Sequence, residues 1–245
     1  MDKVLLLGDI HGNKPAARAA FQEAKNNGCI AIIQLGDFGY GWKFDSDNIC
    51  EFSKYVSELS TNFGIPLYWL DGNHENFDHL YELPLNDEGH RPILPGVIHL
   101  PRGSTIKFGE TTFLAFGGAY TPDKPRRKLG VSYWAQETCT LEDLEKVYSA
   151  GEVDVFLSHD APLGSQNVEK TKQFLDTAFG GDAFQLSYAN QKMVREALNS
   201  SKAKKAFHGH IHRCQESWIT QEEDIIYVRS LDCDGKKGNT YILDI

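Results

Sequence analysis

Three histidines, His208, His210 and His212, stand at alternate positions in the run "FHGHIHR" near the end of the chain. Alternate residues of a strand share a face, so the three imidazoles can project together. A row of imidazoles suggests a metal, and the other ligands must come from elsewhere in the chain. Near-continuous apolar runs supply them. "KVLLLGDIHG" ends in Asp9 and His11, "CIAIIQLGDFG" in Asp37, "PLYWLDGNHE" in Asn73 and His74, and "VDVFLSHDAP" in His159. One aspartate beside a glycine is ordinary turn chemistry. Five run ends that all carry oxygen or imidazole donors make a candidate site.

The donor types constrain the metal. Carboxylate, amide oxygen and imidazole without thiolate suit Mn, Fe, Zn, Co or Ni, and a magnesium-only site has little use for so many histidines. The donors are too many for one tetrahedral ion. Two ions ~3.5–4 Å apart that share a carboxylate would use them all.

Distant residues converge only if the fold gathers them. In parallel α/β sheets, ligands bind beyond the carboxyl ends of the strands. The run to Gly8 is followed by an amphipathic helix, "KPAARAAFQEAKNNG", closing on Gly28. The next run precedes "DSDNICEFSKYVSELSTNFG", with Asp45 or Ser46 as expected N-cap and Gly64 as C-cap. Buried runs alternating with helices read as βαβ units. From Val97, "VIHLP", "STIKFG" and "TTFLAFGGAY" read as antiparallel hairpins, followed by a helix, "TLEDLEKVYSAG". Residues 163–190 match no pattern and form a candidate lid or insertion. "YANQKMVREALNSS" reads as helix, and the chain closes in hairpins, "DIIYVRSL" and "TYILDI". The economical reading is one α/β domain over residues 1–245 with two packed sheets.

Composition narrows the function classes. A net charge of −9 over 245 residues speaks against an extended nucleic-acid surface, which needs basic residues. Five scattered cysteines without a C-x-x-C pair, a start unlike a signal peptide and no apolar window near ~18 residues point to the cytoplasm and to no membrane partner.

The ordered set "GDIHG", "GDFGY", "GNHE", "SHDAP" and "GHIH", from Asp9 to His212, resembles the calcineurin-like metallophosphoesterase superfamily. The resemblance implies a four-layer α/β/β/α sandwich with two mixed sheets and two divalent metal ions, with Mn the expected pair. It implies that Asp9, His11 and His212 bind the first ion, Asp37 bridges, and Asn73, His159 and His210 bind the second. His74 matches the non-ligand catalytic histidine, and His208 falls outside the ligand set. The implied enzyme is a phosphoric ester hydrolase. Two divalent ions less two carboxylates leave positive charge that complements a phosphate ester. Coordination lowers the pKa of water toward about 7, so the expected chemistry is in-line attack of metal-held hydroxide on phosphorus. His74 would protonate or stabilise the leaving oxygen.

The chain departs from the family at its second motif. Many members read Gly-Asp-x-x-Asp-Arg, whereas Tyr40 and Gly41 occupy the last two places here. The partner of His74 is left among Tyr40, Asp71 and Glu75. The missing arginine counts against a protein Ser/Thr phosphatase. In "GGAYTPDKPRRKLGVSYW", Arg126 and Arg127 are candidate phosphate ligands, against a reading of the loop as solvated. Asp160 is the candidate acceptor for the second N–H of His159. His79 and His90 read as surface residues, His99 could face either side of its strand, and "TQEEDI" reads as a solvated turn. Expected substrates are phosphorylated small molecules, peptides or nucleotides. The lean is to a phosphatase acting on a small or protein phosphoester. The alternatives are a phosphodiesterase or nuclease acting on nucleotides or nucleic-acid ends, and a catalytically silent, metal-stabilised scaffold.

Overall fold

Hydrophobic side chains fill both faces of the central strands. In β1 (Lys3–Leu7), Val4 and Leu6 pack into one apolar cluster and Leu5 and Leu7 into another, all buried. A computed structural model describes residues 2–166, 168–221 and 224–245. Its first sheet has the order β12 (Thr240–Asp244), β1, β2 (Ala31–Gln34), β3 (Leu67–Trp69), β5 (Val97–His99) and β4 (Arg91–Leu94). The second has the order β10 (Gln215–Gln221), β11 (Asp224–Ser230), β9 (Lys205–His208), β8 (Val155–Ser158), β7 (Thr111–Phe116) and β6 (Thr105–Phe108). In each sheet four parallel strands are flanked by an antiparallel edge strand on both sides.

Val4, Leu6, Ile33, Leu157 and Phe207 join in the layer between the sheets. On the outer face of the first sheet, Leu5, Leu7 and Ile32 meet Ala17 and Phe21 of α1 (Lys14–Asn26) and Val56 of α2 (Glu51–Phe63). On the second, Leu114, Phe116 and Phe156 meet Leu144 of α4 (Leu141–Ala150) and Val194 and Leu198 of α6 (Ala183–Ser201). The result is the four-layer α/β/β/α sandwich with two mixed sheets. Burying each large side chain contributes about 1.5–3 kcal/mol.

Several local expectations are corrected. Gly64 closes α2 in the left-handed conformation, but the N-cap is Cys50. Asp45 instead accepts from the backbone N–H of Asp47 and Ile49 and turns the chain ahead of the helix. "VIHLP" and "STIKFG" lie in different sheets, as β5 and β6. "TYILDI" crosses back as β12 to pair with β1, so it is no hairpin partner of β11. Residues 163–190 are largely helical: α5 (Val168–Ala178) is followed by α6, which starts at Ala183, ahead of the expected Tyr188. Asn167, and Glu222 and Glu223 of "TQEEDI", lie outside the described residues. His90 is buried and donates to the carbonyl of Thr105 (2.9 Å), and His79, in the short helix α3 (Phe77–Glu82), is half-buried against Tyr40 and Phe44. No helix among the described residues is long and apolar enough to cross a membrane.

A buried polar chain ties the sheets to the crossing loops. Arg91 donates to His99 Nδ1 (3.0 Å), so His99 Nε2–H faces Asp71 Oδ1 (3.3 Å). The other oxygen of Asp71 accepts from Arg102 (2.8 Å), which also donates to the carbonyls of Gln136 and Thr138 and to Asp143. Burial works against both charges, yet Arg102 holds the Asp71 carboxyl well below the usual carboxylate range. Removing one partner strands the other in the interior. Arg102→Met is therefore expected to lower the unfolding free energy by about 3–5 kcal/mol, read by urea denaturation.

Candidate metal centre

The donors gather where five parallel strands end. Asp9 and His11 follow β1, Asp37 follows β2, Asn73 and His74 follow β3, His159 follows β8, and His210 and His212 follow β9. The backbone there is unusual. His11, Asp37, His210 and His212 have φ of 40°, 54°, 63° and 52°, in the left-handed region that side chains other than glycine rarely adopt. Strain of this kind persists only where surrounding structure imposes it, and it clusters at functional sites. Glycines permit the closest approaches. A Cβ on Gly72 would lie 2.1 Å from Asp37 Oδ1, and one on Gly209 would lie 2.2 Å from Asp9 Oδ1.

Two donor groups share the acids. One joins Asp9, His11 and His212, and the other Asp9, Asp37 and His159; within each group the ligand atoms lie within 4.8 Å of one another. His212 Nε2 is 2.9 Å from Asp9 Oδ2. The two oxygens of Asp37 point to different partners: Oδ2 lies 3.4 Å from His11 Nε2, and Oδ1 lies 3.4 Å from His159 Nε2. That divergence suits a bridging carboxylate. Asp37 Oδ1 is further held by the backbone N–H of Asn73 (2.9 Å) and of His74 (3.0 Å). The ring of His210 lies against that of His159 at 5.0 Å, and its backbone N–H donates to Asp9 Oδ1 (3.0 Å).

The donor set fits cations. His159 Nδ1–H donates to the carbonyl of Leu35 (2.8 Å), which turns Nε2 toward Asn73 Oδ1 at 3.2 Å and Asp37 Oδ1. Asn73 Nδ2 donates to Thr121 (3.0 Å), which fixes its oxygen inward. Lone pairs so arranged repel unless a proton or a cation lies among them. Burial opposes charge on His159, yet Asp37 and Asp9 push its pKa up to about 10. Burial likewise opposes charge on His11, and Asp37, Asp9 and Asp234 push it up to about 9. Burial, helped by the charge on His159, lowers the His210 pKa to about 3, which favours a neutral ring with a lone pair.

His74 has a partner that the sequence reading missed. Arg127 Nη1 donates to His74 Nδ1 (2.8 Å), while His74 Nε2 lies 3.8 Å from Asp37 Oδ2. Burial, with Arg127 and the neighbouring histidines against the pull of Asp37, keeps His74 below the usual imidazole range. None of the three expected partners reaches it. The Tyr40 hydroxyl is bonded to His79 Nδ1 (2.8 Å) in the core, and Asp71 is held by Arg102 and His99. Glu75 accepts from the backbone N–H of Gly39 and Gly72. Arg126 is exposed and, among the described residues, has no side-chain hydrogen bond or ion pair. Asp160 accepts instead from Asn190 (2.8 Å) and from the backbone N–H of Ala161 (2.7 Å).

Other groups at the site gave little sequence signal. Asp234, in the turn between β11 and β12, accepts from His11 Nδ1 (3.1 Å) and reads locally as turn chemistry. Trp42, half-exposed, stacks on His11 at 6.2 Å and donates to the carbonyl of His74. Gly209→Ala should displace Asp9 and reduce Mn²⁺ affinity by about 10–100-fold, the size of effect found when a ligand's supporting contact is lost; calorimetric titration would measure it.

Comparisons with known proteins agree with this geometry. The calcineurin-like phosphoesterase family model matches residues 2–214. No curated protein matches significantly. Among solved structures, a protein of Thermus thermophilus shares 12% identity at a TM-score of 0.54, covering 96% of this chain and 91% of its own. A dimetal phosphatase from Danio rerio shares 12% identity at a TM-score of 0.56, covering 97% of this chain and 89% of its own. At such identity these two attest the fold; the family match carries the rest. The chain belongs to the calcineurin-like phosphoesterase family and is a metal-dependent phosphoric ester hydrolase.

Proposed function

We propose that the chain hydrolyses phosphodiesters at a dinuclear centre. Asp9, His11 and His212 would hold one ion, Asn73, His159 and His210 would hold the other, and Asp37 would be shared between them. The divergent aim of the two Asp37 oxygens is the observation that carries this reading. Mn is the proposed metal pair, with Fe, Zn, Co and Ni compatible with the same donors. When bound, the ions neutralise phosphate charge and make hydroxide available near neutral pH.

The chain's own groups do the rest. Arg127 has no acceptor to offer, and its shorter contact is with His74 Nδ1 (2.8 Å, against 3.4 Å to Nε2), which favours a lone pair on Nδ1 and the imidazole proton on Nε2. From Nε2 the proton can pass to the leaving oxygen, which lowers the cost of its departure. Leu35 and Asp234 fix the rings of His159 and His11 through their Nδ1 atoms.

The same arginine shifts the balance between ester classes. A phosphomonoesterase must grip a terminal dianion, but Arg127 is engaged by His74, Asp123 and the carbonyl of Ser132. This favours a diester over the monoester suggested by the sequence. The substrate is proposed to be a small phosphorylated molecule or nucleotide. The proposed compartment is the cytoplasm, supported by five free thiols.

Metal-stripped protein reconstituted with Mn²⁺ should turn over methyl p-nitrophenyl phosphate with higher kcat/KM than p-nitrophenyl phosphate. The reverse preference would restore the phosphatase reading, and two bound ions without turnover would favour the scaffold. His74→Asn should lose about 10²–10⁴-fold in kcat at full metal content. Arg127→Gln should lose about tenfold in kcat with KM little changed, as expected for a residue that orients another.

A further inference from the structure

A cleft of about 610 Å³ opens directly beside the metal centre. His210 and His212 line it together with Arg213, Gln215, Phe174 and Phe179. Helix α5 is poorly explained as a packing element, because Leu175 is its only buried residue among those described. Phe174 is 61% exposed and meets Phe179 edge to face at 6.1 Å, which leaves aromatic surface open to the cleft.

The cleft lies on a definite side of the site. The His11 ring is 5.1 Å from His212 and 6.0 Å from His74. Among the described residues, His74 and His212 make no ring contact with each other. With His74 serving the leaving oxygen as proposed above, a cleft lined by His210 and His212 but not by His74 is the place for the ester arm that stays on phosphorus.

From this placement we infer that the cleft holds the retained arm of the substrate, and that this arm is a nucleoside. The inference rests on the diester reading above, because a monoester has no retained arm. Aromatic walls favour a planar ring. Arg213 and Gln215 offer donors and an acceptor to a ring edge and sugar hydroxyls, which an alkyl chain could not use. A net charge of −9 disfavours a long polyanion, so the ligand is a nucleotide ester or a strand end.

Thymidine 5′-(p-nitrophenyl phosphate) and methyl p-nitrophenyl phosphate share a leaving group and differ only in the retained arm. The Mn²⁺-loaded protein should favour the thymidine ester in kcat/KM by about tenfold or more, the size of one base–aromatic contact. Phe174→Ala should erase most of that preference and Phe174→Tyr should keep it, while Ile225→Ala on β11 should leave it unchanged. Equal kcat/KM for the two esters overturns the inference. Calorimetry with thymidine 5′-phosphate against inorganic phosphate reads the cleft without turnover. Tighter binding of the nucleotide, lost in Phe174→Ala, supports the cleft assignment even if no diester is hydrolysed, in which case only the diester reading fails. Equal binding overturns the cleft assignment.

Discussion

Two carboxylates, Asp9 and Asp37, are almost wholly removed from water within reach of one another, and much of the surrounding structure answers that constraint. Isolated charges are costly in a low-dielectric interior unless they are paired and hydrogen-bonded. Backbone N–H groups of Asn73, His74 and His210 point at the two acids, His210 doing so from the left-handed region. Gly72 and Gly209 are small because the carboxylate oxygens come where a Cβ would stand. The imidazoles complete the cage. The fold contributes two sheets whose parallel strands end on the same side, so residues far apart in sequence meet at the two acids.

The candidate metal ligands were legible because each terminates a buried run, and strand ends leave local signatures. Two packed sheets were legible because strands apolar on both faces need cover on both, whereas the four-layer sandwich was implied by the family resemblance. What escaped depended on pairings that no local pattern encodes. Arg127 reaches His74 across 53 positions, and His159 finds the Leu35 carbonyl across 124. A backbone carbonyl has no sequence signal at all, so Asp160, a visible acid next door, was the natural and mistaken choice. His90 has the composition of a surface residue and is buried because Thr105 offers it an acceptor. Helix α5 was missed although its apolar residues recur at helical spacing as clearly as those of α4.

Behind the site, the chain from Arg91 through His99 and Asp71 to Arg102 performs a separate task. Asp71 lies two residues before Asn73, and Arg102 clamps the carbonyls that precede α4. Glu137 in the same segment accepts from Thr121, which in turn holds Asn73. The amide of Asn73 is thus braced from both sides by groups that never approach the reacting atoms. Rigid support of this kind is what keeps donors at productive distances.

The pairing of β12 with β1 has a consequence for the order in which the molecule comes into being. Asp9 must meet His210, 201 positions later, and His11 must meet Asp234, 223 positions later. Contacts so distant along the chain make folding slow, since the loops they close have to be ordered first. During synthesis the early βαβ units can collapse, but no nascent segment short of the last histidines carries the whole donor set. The full donor set therefore exists only once His212 has been made, and a chain halted before that point leaves Asp9 and Asp37 without their full set of partners.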